Sequence, residues 1–280
     1  MLKTTYKTAF TAIAVVLFSA FAPTKAQTDV ELDPEFGGRL TIGLDKKITK
    51  GLHITLDEEL RMADNFGSLG RLQTTLAVKY KVLPFLRVGV GYALINPYDA
   101  DSSQFSSPRH RFLFDLTGMW RFGDWNLSLR ERLQLTHRTG QYNEYQNPAT
   151  AITLKSRLMV KYKGFLKVEP YAYFELRHYL NAPVINASFD GTNYYTADGS
   201  RKGDAGWFLD GFNGSYLNRY RASIGVDYNI NRSHTVTLYL LADYCMDKEV
   251  DANAEGTKLK SYTREKGFIG NVGVEYVFSF

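Results

Sequence analysis

Charged side chains that recur at every second position are the residues in this sequence best suited to chemistry. Glu59 is followed by Arg61, and Glu175 is followed by Arg177. Successive side chains of a β-strand point to opposite faces, so residues two apart share a face. Taken together, these charged faces carry about nineteen Arg or Lys and about nine Asp or Glu. The chemistry that such faces offer is ion pairing and the binding of anions.

One set of these charges is predicted to form a network inside a β-barrel. An ion that is buried without a partner is costly, so acids and bases on neighbouring strands are expected to pair. We call this set the lumen network, and its predicted members are Glu59, Arg61, Arg111, Asp115, Arg130, Arg132, Arg157, Glu175, Arg177, Arg219, Arg221 and Glu275.

A second set lies beside the predicted tight turns, where carboxylates are few. We predict that it forms a basic collar at the periplasmic mouth of the barrel. The members of the basic collar are Lys79, Lys81, Arg87, Arg121, Lys161, Lys163 and Lys167.

Two interpretations of the lumen follow from these charges. Barrels of about eight strands are filled by side chains and barrels of about sixteen contain a channel, so a barrel of intermediate size fits either state. The first interpretation is an outer-membrane barrel of uncertain role, whose lumen is filled or narrow and rich in cations. The alternative is a narrow porin that prefers anions and passes small acidic solutes.

Enzymatic activity is not expected, and the alternative in this class is a lipid hydrolase of the outer membrane. A hydroxyl nucleophile needs a base within hydrogen-bond reach. None of the five histidines lies two residues from a serine on the same strand face, and His178 is an isolated histidine near the outer rim. The sequence also contains no spacing typical of a calcium loop, so no metal, cofactor or catalytic residue is predicted.

The elements that must position these charges are β-strands. Eleven alternating runs are predicted, beginning near Arg39, Leu52, Gly70, Leu86, Arg109, Trp125, Ala151, Leu166, Leu217, His234 and Gly267. Tight turns and longer polar loops alternate between the runs, and the longest loop covers 181–216. Short turns at one end and long loops at the other are typical of a transmembrane barrel.

The apolar faces of the runs point to a membrane rather than to a soluble β-sandwich. These faces end in aromatic residues such as Trp125 and Tyr228, as in the aromatic girdles of membrane barrels. The last run alternates apolar residues and ends on Phe280, the final residue of the sequence. We therefore expect outer-membrane lipid and the barrel-insertion machinery as partners, the latter through this closing strand.

The number of strands is predicted from parity. If the last strand descends to the periplasm and every neighbour is antiparallel, the run at Arg39 also descends and needs a strand before it. A short strand near residues 30–36, turning at Gly37 and Gly38, would complete an antiparallel barrel of about twelve strands. Ten strands is the alternative count, because Pro34 cannot donate to a ladder.

The ends and the composition set the compartment. Lys3, Lys7 and an apolar run followed by Ala26 predict a cleaved signal peptide over 1–26, leaving 27–280 as a single barrel domain in a Gram-negative outer membrane. The leader holds three of the 34 basic residues and none of the 29 acidic ones, so the mature chain is nearly neutral. Nucleic acid is therefore not expected as a partner. The single cysteine, Cys245, excludes an internal disulfide.

Two carboxylates interrupt the pattern, because strict alternation puts Glu58 and Glu131 on the lipid-facing side. A charged residue there costs free energy. A β-bulge re-aims side chains, so we expect a bulge to draw at least one of the two inward.

Three segments carry a resemblance to a known family. The segments are GLHITLDEELRM over 51–62, FLRVGVGY over 85–92 and GNVGVEYVFSF over 270–280. With the leader and a mature length near 250, they resemble a family of Gram-negative outer-membrane β-barrels, a domain of unknown function (family 2490). Glu59-Leu60-Arg61 matches its acid-x-Arg pattern, and Gly91-Tyr92 matches its Gly-Tyr pattern, with Ala93 in place of an Arg. The resemblance implies the barrel fold and the location, and no activity.

Overall fold

The computed structural model describes residues 28–185, 188–189, 194–195, 209, 211–256 and 259–280. The predicted signal peptide and most of the loop between residues 186 and 210 lie outside the described residues. The described part is all-β, and its strands are β1 (Thr28–Glu31), β2 (Glu35–Thr49), β3 (Leu52–Ala63), β4 (Ser68–Leu83), β5 (Leu86–Asp99), β6 (Gln104–Phe105), β7 (Arg109–Phe122), β8 (Trp125–Arg138), β9 (Thr150–Tyr162), β10 (Val168–Ala182), β11 (Ser188–Phe189), β12 (Tyr194–Tyr195), β13 (Gly214–Asn229), β14 (His234–Ala252) and β15 (Leu259–Ser279). No helix in these ranges has the length and apolar character to cross a membrane.

The long strands form because alternation runs unbroken between residues that favour turns. Gly51 and Gly123 adopt positive φ values of 84° and 57° in the tight turns after β2 and β7. A side chain is disfavoured in this backbone region, so glycine allows the chain to reverse within two residues. The connections after β2, β4, β7, β9 and β13 have two to five residues and lie at one end of the barrel, which we call the short-turn end. The other end, the long-loop end, carries the long connections, although the one between β3 and β4 has only four residues.

Eleven strands close the barrel, and the closing pair is parallel. The order is β15, β14, β13, β10, β9, β8, β7, β5, β4, β3 and β2, with β15 pairing back onto β2. Residues Ile269 to Ser279 pair in parallel with Glu35 to Asp45, whereas the other neighbouring strands of the barrel are antiparallel.

The all-β barrel is thus confirmed, but the predicted counts of twelve and ten strands are wrong. A strand that rises before β2 is needed only if every neighbouring pair is antiparallel, and the parallel closure removes this need. The chain does not turn back at Gly37 and Gly38. Instead β1 runs in the same direction as β2 and pairs in parallel with Thr263 to Lys266, higher on β15.

The exterior of the barrel is apolar and the interior is polar, the reverse of a water-soluble core. Outward side chains such as Ile224 and Leu240 are 61% and 58% exposed. Aromatic rings collect at the short-turn end of this surface, where Trp125 packs on Tyr162 with ring centroids 4.8 Å apart. An apolar band edged by aromatic rings is matched by lipid hydrocarbon and not by water. The fold is that of a transmembrane β-barrel.

The hairpin of β14 and β15 extends beyond the barrel at the long-loop end and meets the loop between β8 and β9. The Asn143 amide donates to the carbonyl oxygens of Ala252 and Asn253 at 2.9 and 3.1 Å. The Gln146 amide donates to the Asp251 carboxylate at 2.9 Å. β8 and β9 do not neighbour β14 or β15 in the barrel, so the loop crosses the mouth at the long-loop end and narrows it.

The expected bulge at Glu58 or Glu131 is absent, and that prediction is wrong. Both residues keep regular register with both neighbouring strands. Each carboxylate instead accepts a hydrogen bond from an outward hydroxyl on the next strand: Thr74 donates to Glu58 at 2.6 Å and Ser156 to Glu131 at 2.5 Å. A hydroxyl on the same outward face thus contacts one oxygen of each carboxylate without a break in the ladder, while Glu58 Oε1 is buried with no hydrogen-bond partner among the described residues.

Candidate functional site

The lumen is the candidate functional site, because the inward faces of the strands place most of the buried charge there. It contains a cavity of about 1260 Å³ that is open in part. Its lining includes ten members of the lumen network and five tyrosines. The inward-facing side chains of the strands therefore form a polar, water-accessible interior and not a packed apolar core.

Glu175 is the first of two buried carboxylates that organise the lumen network. Its side chain is 2% exposed. The Arg157 Nε and Nη2 atoms donate to Glu175 Oε2 at 2.8 and 2.7 Å, and Arg130 reaches the same oxygen at 3.3 Å. Arg221 approaches the other carboxylate oxygen at 3.4 Å. One carboxylate thus holds three guanidiniums from three different strands.

Asp243 is the second buried carboxylate and is 1% exposed. It accepts two hydrogen bonds from Arg221, at 2.6 and 2.8 Å, in a bidentate pair. Arg219 and Arg39 lie farther away, at 3.5 and 3.8 Å. Arg221 contacts both buried carboxylates, so the two clusters form one unit that ties β2, β8, β9, β10, β13 and β14 together.

Two further ion pairs lie on strands beside this unit, one between β7 and β8 and one on β3. Arg132 forms a bidentate pair with Asp115, with both contacts at 2.6 Å. Arg61 Nε donates to Glu59 Oε1 at 2.6 Å, and Arg71 lies 3.8 Å from the same oxygen. The structure therefore brings these predicted partners together.

The pairing is incomplete, because several cations have no carboxylate partner among the described residues. Arg111 Nε donates only to the Thr136 hydroxyl, at 2.9 Å. The side chains of Arg109 and Lys155 make no hydrogen bond or ion pair within the described ranges, and both residues line the cavity. Among the carboxylates of the network, Glu275 likewise forms no ion pair with a described residue. The interior retains more unpaired cations than unpaired acids.

A bulge that the sequence did not indicate adds two groups to the site. The register of β10 and β13 shifts between Arg177 and His178. This shift turns Asn218 into the lumen, where it accepts from Arg177 at 2.8 Å and donates to Asp247 at 2.7 Å. Asp247 was not among the predicted lumen residues. A bulge depends on the partner strand, so alternation within one strand could not reveal it.

The residues of the basic collar lie at the short-turn end, and two of them are paired. Lys161 forms an ion pair with Asp227, and Lys163 lies 2.9 Å from Glu169. Arg121 donates to the Gly123 carbonyl at 3.1 Å. Lys79, Lys81, Arg87 and Lys167 form no ion pair with a described residue. That this end is the periplasmic mouth of the barrel stays a prediction.

Inward tyrosines on β10 and β14 were missed as site residues. Tyr171 and Tyr173 stack with ring centroids 6.3 Å apart, and Tyr239 lies on β14. The alternation that placed Glu175 and Asp243 inward places these tyrosines inward as well. The alternation of the sequence therefore indicates these tyrosines as well as the charged residues.

A family model described as "Protein of unknown function (DUF2490)" matches residues 38–197, which is more than half of the chain. The chain belongs to this family. The DUF2490 match covers the strands from most of β2 to β10, which carry Glu59, Arg111, Arg132 and Glu175. No curated protein matches the chain.

Two solved structures of OmpT, an outer membrane protein of Vibrio cholerae, are similar to this DUF2490 chain. The outer-membrane expressed form is 12% identical with a TM-score of 0.32, and the match covers 76% of this chain and 59% of that one. The chain thus spans less than two thirds of that structure. The in-vitro folded form is 11% identical with a TM-score of 0.31, and the match covers 79% of this chain and 82% of that one.

Ala93, which stands where the resemblance to the DUF2490 family suggests an Arg, is completely buried. It lies in register with Thr75 on β4 and with Arg111 on β7. The neighbouring strand thus brings a guanidinium to this level of the wall.

Proposed function

We propose that this protein is a narrow outer-membrane barrel that binds and passes small acidic solutes in preference to cations. The observation that carries the proposal is the set of unpaired lumen cations, Arg109, Arg111 and Lys155, which face the cavity without a carboxylate partner among the described residues. Their charge is available to a solute because the network does not consume it.

The register of the strands also places Lys155 directly among other cations. Arg132, Lys155, Arg177 and Arg219 are register partners across four neighbouring strands. Like charges that lie directly opposite one another repel and destabilise a sheet. A bound anion would relieve this repulsion, and a ring of fixed cations attracts anions and excludes cations from a pore. An eleven-stranded barrel lies between filled and wide barrels in size, which favours a narrow path.

Reversal potentials in planar bilayers test this proposal. Purified full-length protein in a gradient of potassium chloride is expected to give a potential of the sign for chloride preference. Replacing both Arg111 and Lys155 by Glu should reduce or invert this preference, because two unpaired cations of the lumen become anions. Arg232→Glu, an equal change for one exposed turn residue, is the control and should have a much smaller effect.

Cation preference in the unaltered protein would contradict the proposal. A barrel that inserts but gives no conductance would favour the second candidate, a filled barrel with a structural role. The observation behind that candidate is the loop held over the outer mouth by Asn143 and Gln146.

The proposed location is the outer membrane of a Gram-negative bacterium, reached through cleavage of the signal peptide over 1–26. The terminal strand supports recognition by the insertion machinery: Phe280 packs on Phe278 with ring centroids 5.3 Å apart, and its amide donates to the Asp45 carbonyl at 3.0 Å. Membrane fractionation is expected to recover the protein with the outer membrane. Recovery as a soluble periplasmic protein without detergent would contradict the location.

A further inference from the structure

One row of register partners runs along the lumen wall from the short-turn end to the long-loop end, and we call it the tyrosine–arginine row. It begins at Lys161, the penultimate residue of β9, and ends at Arg71, the fourth residue of β4. Between these ends it passes, on successive strands, through Tyr171, Gly225, Tyr239, Gly273, Arg39 and Arg61. Aromatic rings therefore lead directly into three adjacent arginines.

Glycine makes room for each tyrosine ring of the row to lie along the wall. A Cβ atom on Gly225 would be 2.6 Å from the tip of the Tyr171 ring, and one on Gly273 would collide with the Tyr239 ring. Each ring thus extends sideways over a neighbouring glycine instead of projecting across the lumen. The arrangement keeps the path open and presents aromatic surface to it.

The arginine part of the row has less negative charge than it needs. Arg61 and Arg71 share Glu59, which lies 2.6 Å from Arg61 and 3.8 Å from Arg71. Arg39 lies 3.8 Å from Asp243, a carboxylate that already pairs with Arg221, and donates to the amide oxygen of Asn271 at 3.3 Å. The Arg71 Nε atom is buried and has no hydrogen-bond partner among the described residues. Unsatisfied guanidinium donors that line a cavity are suited to a carboxylate ligand.

We propose that the tyrosine–arginine row binds acidic saccharides, sugars that carry a carboxylate. The proposal rests on the proposed function and names the solute class for the same lumen. A carboxylate would occupy the arginine part, where planar guanidiniums match its two oxygens. The C–H face of a sugar ring would pack on the electron-rich face of a tyrosine ring.

The spacing of the row favours an elongated ligand over a small inorganic anion. Tyr171 and Tyr239 are two strands apart, about 9.5 Å along the row, and Arg39 lies a further two strands away. A lone chloride or phosphate ion could bind to the arginines, but it would gain no binding energy from the two tyrosine rings that lie over glycines. A saccharide of two or more units, with acid groups along its length, can contact both parts of the row.

The binding of defined probes to the full-length protein in detergent tests this proposal. The probes are a disaccharide of two uronic acids, the corresponding neutral disaccharide, and acetate, each titrated in a calorimeter. The uronate disaccharide is expected to bind at least about tenfold more tightly than either control, because only it uses both parts of the row. The same disaccharide should reduce the conductance of the barrel in bilayers.

Tyr239→Leu separates this role from general attraction of anions. It should weaken binding of the uronate disaccharide by about three- to tenfold. The reversal potential should be unchanged, because no charge is altered. Tyr244→Leu, on the lipid-facing side of the same strand, is the matched control and should leave binding unchanged.

The outcomes distinguish this proposal from the proposed function. If acetate or the neutral disaccharide binds as tightly as the uronate disaccharide, the saccharide assignment is wrong, even where anion preference persists. If the barrel conducts no ions but binds the uronate disaccharide through Tyr239, saccharide binding by the row is supported and the proposed anion pore is contradicted. Equal effects of Tyr239→Leu and Tyr244→Leu would also overturn the assignment.

Discussion

Replacement of Glu175 by Gln is expected to destabilise the folded barrel by about 3 to 5 kcal/mol, the range for breaking a buried ion pair from one side. Glu175 is almost fully buried and holds Arg130, Arg157 and Arg221. A neutral amide would leave these three guanidiniums close together without the negative charge that offsets their mutual repulsion. Arg221 would retain its pair with Asp243, so the loss would fall mainly on Arg130 and Arg157.

Urea unfolding of the purified barrel in lipid vesicles, followed by tryptophan fluorescence, measures this loss. Glu144→Gln makes the same chemical change at an exposed position of the loop between β8 and β9, and it should shift the free energy of unfolding by less than about 0.5 kcal/mol. A Glu175→Gln protein as stable as the Glu144→Gln control would mean that the lumen arginines do not depend on this carboxylate.

An epitope inserted immediately before Thr28 is expected to be accessible to antibody on intact cells. The parallel closure puts β1 beside Thr263 to Lys266, above the level at which β2 begins to pair with β15. The start of the described chain therefore lies at the long-loop end, whereas Phe280 lies at the short-turn end. Membrane barrels place short turns in the periplasm and long loops outside the cell.

The control carries the same epitope in the turn between β13 and β14, beside Arg232. That epitope should bind antibody only after the outer membrane is permeabilised. The expected difference is all or none. Protection of both epitopes on intact cells would contradict the parallel closure or the assigned direction of insertion.

Most of the strands could be predicted because alternation is a local property. The runs predicted to begin at Leu52, Leu86, Arg109, Trp125 and His234 begin at those residues in the structure. The last strand was placed too late, at Gly267 instead of Leu259. Residues 260–266 are polar on both faces because they extend beyond the apolar band, so no apolar alternation marks them as a strand.

The closure of the barrel could not be predicted in this way. Whether β2 meets β15 in parallel depends on contacts between residues more than 200 positions apart, and alternation is the same for both directions. The outward carboxylates show a similar limit. Glu58 stays in place because Thr74 lies opposite on the next strand, and this neighbour is known only when the register is known.

The sequence predicted which residues lie in the candidate site better than it predicted which of them form ion pairs. Alternation places Glu175, Arg157 and Arg221 on the inward faces of their strands. The sequence does not show, however, which of the many arginines pairs with each carboxylate. Asp243 emerged as a central partner because β13 and β14 align it with Arg221. Arg111 was correctly placed in the lumen, but its lack of a carboxylate partner depends on the positions of all its neighbours.

The tyrosine–arginine row crosses eight of the eleven strands between Lys161 and Arg71. Because strands in a closed barrel tilt against its axis, a row of register partners winds around the wall as it rises. A solute that stayed in contact with the row would rotate through more than half a turn while it advanced. Passage would then be a screw motion, and the barrel would discriminate among chains by the hand and flexibility of their own twist.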